Sequence, residues 1–230
     1  MQRNENGNVL WFVLIGIILL GTITSLLTRT SSSTNETGNY ERQSIIASDL
    51  LKYFNGIEVA IQQMKARGVS EDDISFHGAV AGYTHTPAQP ESNRVFSTEG
   101  GGITVRDFVN TSIIDQNTVK NDGEIFFNYG QFDNFGTSAR ELYARFRNPT
   151  VSFCNTINRL SGVNGIPTVT EISGGTFLGD YTTSPGDHIG DDAGEAELID
   201  KKFACVFENG GCSSEAGNQC HEVYYILLAR

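Results

Sequence analysis

The sequence predicts an α+β protein, with an N-terminal transmembrane helix and then an amphipathic helix packed on an antiparallel-sheet globular domain. Three observations predict it. Residues 9–27 form an uncharged apolar run, and residues 39–67 carry apolar side chains at steps of four, four, three, four and three. Beyond Gly68 the apolar runs are short and broken by Gly, Pro, Asn and Asp, without the regular alternation of strand and helix that marks a parallel sheet.

Residues 1–8 are a short polar leader. The run that follows, VLWFVLIGIILLGTITSLL, has nineteen residues and at 1.5 Å per residue spans roughly 28 Å, close to the hydrocarbon thickness of a bilayer. Trp11 and Phe12 lie near one end, where an indole favours the membrane interface, and Gly16 and Gly21 offer small surfaces for helix contact. A cleavable secretory signal is the rival reading. Such signals have an apolar core of about 7–15 residues followed by a small-residue cleavage site, and TSLLTRTSSS offers no clean site. The reading adopted is a retained single-pass anchor.

Residues 28–38, TRTSSSTNETG, have no apolar periodicity and read as a Ser/Thr-rich tether that breaks the helix. Residues 39–230 then form the exported globular domain. Ile46, Leu50, Phe54, Ile57, Ile61 and Met64 make one stripe of a helix, with Lys52, Glu58, Gln62 and Lys65 on the other side. This mixed charge points to packing on the helix's own domain rather than on lipid, and Gly68 is placed to end the helix.

Ser70 before Glu71, Asp72 and Asp73 reads as the cap of a short turn. Strands are expected at residues 74–76, 103–109, 124–129, 168–172, 203–207 and 223–228, and helices at 137–147 and 148–160. Asn148 is the expected cap of the second helix and Pro149 its first residue.

The chain has 230 residues with a formal charge of −11, and hydrophobic residues make up 39% of it, including 14 Phe. About 200 residues outside the apolar run make one domain or two small ones, and the aromatic content excludes a disordered acidic tail. No basic stripe interleaved with aromatics occurs, which argues against nucleic acid as a partner. All four cysteines, Cys154, Cys205, Cys212 and Cys220, follow the apolar run. Their spacing lacks the C-x-x-C pairs of a zinc site, so two disulfides and an oxidising compartment are expected, with three connectivities open. The cysteines in turn place the N-terminus in the cytoplasm.

A nucleophile elbow, a phosphate-binding loop, a dinucleotide fingerprint and an H-E-x-x-H helix are all absent from the sequence. Neither an enzyme nor a cofactor is expected. Gly100, Gly101 and Gly102 read as a turn, because no helix opens behind them. The densest polar cluster is Asp187, His188, Asp191, Asp192, Glu195 and Glu197. Its carboxylates Asp187, Asp191, Asp192 and Glu195 are the candidate cation ligands, without the spacing of an EF-hand and against the ordinary reading of a solvated acidic loop. His77, His85, His188 and His221 are scattered, with no pair at a zinc-ligand spacing.

The leader MQRNENG, the run GNVLWFVLIGIILLGTITSL, the helix end QQMKARG, SEDDISFHGAVAGYT, VFSTEGGGIT, FCNTINRLSG and the closing EVYYILLAR together carry a resemblance. The chain resembles type IV pilin-like and pseudopilin-like proteins, and more closely a group of pilin-like envelope proteins of alphaproteobacteria. The resemblance implies a non-enzymatic minor pilin or pseudopilin subunit of a type IV pilus-like or type II secretion assembly. It would sit in the bacterial inner membrane, with its C-terminal domain in the periplasm or outside the cell and other pilin-like subunits or envelope proteins as partners.

By that resemblance prepilin peptidase would cleave between Gly7 and Asn8, and Cys154 would pair with Cys205, leaving Cys212 with Cys220. Asn8 stands where the family has Phe or Met, and Phe12 where major pilins carry Glu, departures that point to an initiating or tip-like subunit. The alternative function is an anchored binding module for a glycan, a cation or a protein.

Overall fold

The computed structural model describes residues 7–79, 83–108, 112–114, 123–132, 139–169, 175–179, 188–189, 196–208 and 220–230. It divides into two compact units, Met1–Arg42 and Gln43–Arg230. Helix α1 (Gly7–Ala66) belongs in sequence to both. Its backbone is helical through residues 28–38, where the composition predicts a break. Ser, Thr and Asn each disfavour a helix interior by only about half a kcal/mol relative to Ala, and the segment has no proline.

In the first unit Trp11, Phe12, Val13, Leu14, Ile17, Ile18, Leu19, Leu20 and Ile23 are exposed. The Thr22 hydroxyl donates to the Leu19 carbonyl and that of Thr24 to the Leu20 carbonyl, both at 2.9 Å, so these polar groups are satisfied within the helix. Among the described residues no helix is long and apolar enough to cross a membrane. The described side chains of the apolar run cover residues 11–25, fewer than the ~20 that a crossing takes.

In the second unit the predicted stripe is the core face of α1: Leu50, Phe54, Ile57, Ile61 and Met64 are all fully buried, and Ile46 packs at the margin. Burial of side chains of this size contributes about 1.5–3 kcal/mol each. The helix ends as Gly68 predicts. With Gly68 at φ 95°, its N–H donates to the Lys65 carbonyl and the Val69 N–H to that of Met64, the paired bonds of a left-handed helix stop. Residues Glu71–Asp73 form one 3-10 turn, but the Ser70 side chain makes no capping bond.

Strands β1 (Ile125–Phe132), β2 (Glu141–Arg147), β3 (Thr168–Val169), β4 (Gly175–Thr176), β5 (His188–Ile189), β6 (Phe203–Glu208) and β7 (Cys220–Leu228) form one sheet in the order β3-β6-β7-β2-β1-β4, with β5 also on β1. The expected all-antiparallel sheet is mixed, because β3 runs parallel to β6 and β5 parallel to β1. Leu142, Ala144 and Phe146 of β2 join the core under α1, and Tyr143 joins a second cluster with Phe132, Ala204, Val206, Tyr224 and Ile226.

Strand β2 lies in the interval expected to be helical. Five of the seven residues of ELYARFR (Glu141, Leu142, Ala144, Arg145 and Arg147) are good helix formers, yet the segment alternates between two buried environments, and that tertiary demand overrides local propensity. Residues 74–76 contribute one bridge, Ser75 to Arg94, in place of a strand. The described residues 103–108 form no strand either. Arg106 joins them to α1 instead, through paired bonds to Asp49, a backbone N–H bond to the Tyr53 hydroxyl and a cation-π contact with the Tyr53 ring.

Helix α2 (Val151–Ser161) starts two residues later than its expected cap allows. Asn148 has φ 54°, and the Thr150 hydroxyl is the group that accepts from the Phe153 N–H. The disulfide Cys154–Cys205 ties α2 to β6. One turn after Cys154, the Asn158 amide donates to the Cys205 and Gly165 carbonyls, and its oxygen accepts from the Cys205 N–H, all at 2.7 Å. Asn158→Ala leaves those three backbone groups without that partner, and a loss of about 2–5 kcal/mol is expected by urea unfolding of the oxidised full chain. A change within about 0.5 kcal/mol, the range of an ordinary surface substitution, would refute this role.

Candidate functional site

The polar residues that converge on the surface come from two segments joined by the Ser75–Arg94 bridge. The Ser75 N–H donates to the Asn93 carbonyl and the Val95 N–H to the Ser75 carbonyl, both at 2.9 Å. Behind Arg94 the chain folds tightly on itself, so that a Cβ on Gly100 would lie 2.0 Å from the Arg94 carbonyl oxygen, and one on Gly101 2.5 Å from that of Val95. The glycine run is the turn that the sequence predicts, and its bonds return to Ser97 and Arg94.

A notch of about 140 Å³ opens there, lined by Ser75, His77, Thr84, His85, Gln89 and Arg94 together with Ala88. Gln89 is a brace: its amide nitrogen donates to Asp73 at 3.2 Å, and its side-chain oxygen accepts from Asn93 at 3.0 Å. The Arg94 guanidinium donates from Nε and Nη2 to the Gln89 carbonyl at 3.1 and 3.0 Å. His85 is buried with Nδ1 2.9 Å from the Pro87 carbonyl, which can only accept, so Nδ1 carries the proton. Its other edge lies against Gly179, where a Cβ would come within 2.2 Å of the ring.

Two charged groupings lie elsewhere, the first buried and the second half-buried. Arg145 is held between Glu222, which accepts from its Nε at 2.7 Å, and Glu208 at 3.5 Å, while Arg147 reaches the second Glu222 oxygen at 3.0 Å. Burial alone would depress the Arg145 pKa, but Glu222 first, then Tyr143 and Glu208, together outweigh it and hold the group above its ordinary value. The Tyr225 hydroxyl is raised above its ordinary pKa first by burial and then by its 2.9 Å bond to Glu58, which also pairs with Lys202. These arrangements are closed salt bridges, with the chemistry of a scaffold.

Glu141 is different. It is fully buried, one oxygen accepts from the Phe132 N–H at 3.1 Å, and the other has no hydrogen-bond partner among the described residues. Burial pushes its pKa up to about 7, against the opposing pull of the Phe132 N–H, its own N–H and the more distant Arg230.

The candidate cation ligands Asp187, Asp191, Asp192 and Glu195 lie outside the described residues, as does Cys212. His188 opens β5 and Cys220 opens β7. Among the described residues no group of three His, Cys, Asp or Glu side chains is placed to hold a metal ion. Gly7 is the first residue of α1, followed by Asn8. His77 is exposed at the notch, and His221 packs against Phe207. The sequence expectations did not include Arg94, Glu141 or Asn158; the signal available for Asn158 was its one-turn spacing from Cys154 on the same helix. No family model, curated protein or solved structure matches the chain.

The sign of the Glu141 effect follows from its raised pKa. The folded state holds the proton more tightly, so this stabilisation is complete below the ordinary carboxylate range and is lost as pH rises through about 7. Glu141→Gln, a mimic of the protonated form, should match the parent at pH 4 and exceed it at pH 8.5 by at most about 3 kcal/mol. Urea unfolding at the two pH values reads this directly, and a variant no more stable than the parent at pH 8.5 would exclude a buried, poorly solvated carboxylate.

Proposed function

We propose that the chain is a non-enzymatic, single-pass membrane-anchored subunit of pilin-like character, a minor pilin or pseudopilin of a type IV pilus-like or type II secretion assembly. Residues 9–27 are its anchor in the inner membrane of a bacterial cell, and the domain that follows lies in the periplasm or outside the cell. The observation that carries the reading is the surface of α1 at Trp11, Phe12, Val13 and Leu14, exposed by 63, 67, 57 and 47%. Four consecutive residues at about 100° per step occupy the full circumference of a helix. A helix that is apolar all round is stable against lipid or other apolar helices and not against water.

The disulfide between Cys154 and Cys205 supports an oxidising compartment for the globular domain. Phe12 in place of a charged residue supports an initiating or tip-like subunit, because such a subunit need not supply the repeated charge pairing of a shaft. A second reading, an anchored module that binds a ligand, is favoured by the notch at Arg94.

Alkaline carbonate washing of cell membranes, with intact mass and N-terminal sequencing of the retained protein, separates the readings. The full chain should stay with the membrane, and a variant lacking residues 9–27 should be released. A retained chain beginning at Asn8 establishes prepilin-type processing. One beginning at Met1 leaves a plain anchor and favours the binding module, and release of the full chain refutes the anchor.

A further inference from the structure

The notch at Arg94 has a chemistry unlike the rest of the chain. The protein carries 27 Asp and Glu against 16 Lys and Arg, yet none of the described residues lining the notch is acidic. Its lining presents one guanidinium, two imidazoles, two hydroxyls and one amide. Nearby acids do not fill it: Asp73 is engaged with the Gln89 amide at 3.2 Å, and the exposed Glu91 approaches Arg94 Nη1 only to 4.0 Å.

The cation is also held in place before any ligand arrives. Nε and Nη2 of Arg94 are fixed by a single neutral acceptor, the Gln89 carbonyl, and Nη1 meets the exposed Glu91 carboxylate only at 4.0 Å, a contact that solvent screens. His85, locked by Pro87 on one side and Gly179 on the other, forms a rigid wall. His77 and Thr84 are exposed at the opening, and the buried Ser75 closes the floor.

We propose that this notch binds the carboxylate of a small organic acid, with Arg94 supplying the countercharge and Thr84 and His77 supplying further hydrogen bonds. Charge balance selects a carboxylate over a phosphate. One permanent cation matches one negative charge, and a phosphate near two charges would need a second permanent cation, in a chain already at −11. The volume fits a carboxyl group with a few attached atoms, either a free acid or the acidic end of a sugar. This binding site goes beyond the anchor reading and stands whether or not the chain spans a membrane.

The test is a titration of the full chain in detergent micelles, at fixed ionic strength set with chloride, observed through the histidine ring resonances by NMR. Sodium acetate and sodium glucuronate are the probes, with inorganic phosphate as the comparison. Saturable shifts of His77 and His85 with either carboxylate are expected, weakened about tenfold or more in Arg94→Gln. Because Arg94 also braces Gln89, Thr84→Val is the second variant, with affinity expected to fall about threefold or more. Absence of a saturable shift with both carboxylates overturns the proposal, as does tighter binding of phosphate or unchanged affinity in Thr84→Val.

Discussion

The clasp between α2 and β6 is the constraint on which the globular unit depends. Strand β6 is nearly an edge strand, since β3 pairs only with Phe207 and Glu208. An uncovered edge exposes backbone donors and acceptors that recruit other chains. Here the Asn158 amide bonds both polar groups of Cys205 as a neighbouring strand would, and the Cys154–Cys205 disulfide holds the helix that carries it. The Pro167 carbonyl then accepts from the Phe207 N–H at 2.8 Å and continues the cover. Covalent bond and amide act on one residue from adjacent turns of one helix, so α2 has a single way to sit.

The same demand for one arrangement explains the charges buried elsewhere in the sheet. Arg145, Glu208 and Glu222 come from three adjacent strands, and each is nearly or fully buried. Taking such ions out of water costs several kcal/mol each, and their mutual attraction offsets that only in good geometry. A shift of β2 by one residue would turn Arg145 into the apolar core and separate it from both acids. The cluster therefore penalises wrong registers more than it stabilises the correct one. Glu141, at the start of the same strand, has no such countercharge in hydrogen-bond contact among the described residues, and burial outweighs the backbone N–H groups that favour its charged form.

How much of this was legible depends on whether the signal was local. The α1 stripe and its stop at Gly68 were readable because a 3.6-residue period and a glycine act within one turn of helix. Strand β2 was not, since Glu, Leu, Ala and Arg favour a helix locally and only the neighbours β1 and β7 make them a strand. The cap of α2 shifted from Asn148 to Thr150 for a related reason: the β2 ladder continues to Arg147, and Asn148 is spent on the turn out of it. The notch was illegible because Ser75 and Arg94 meet across an irregular loop with no periodicity, whereas the acidic cluster drew attention through composition alone.

Helix α1 shows why composition and position must be read together. Its mean character is unremarkable, yet residues 11–23 expose apolar side chains on all sides and residues 46–64 bury theirs along one stripe. The two stretches need different surroundings. A stripe is satisfied by one face of a sheet, as the second unit supplies. A full apolar circumference is not, because a single packed layer covers at most part of it and the rest remains against solvent. Only an environment that surrounds the helix removes that exposure. The requirement comes from geometry and the hydrophobic effect alone.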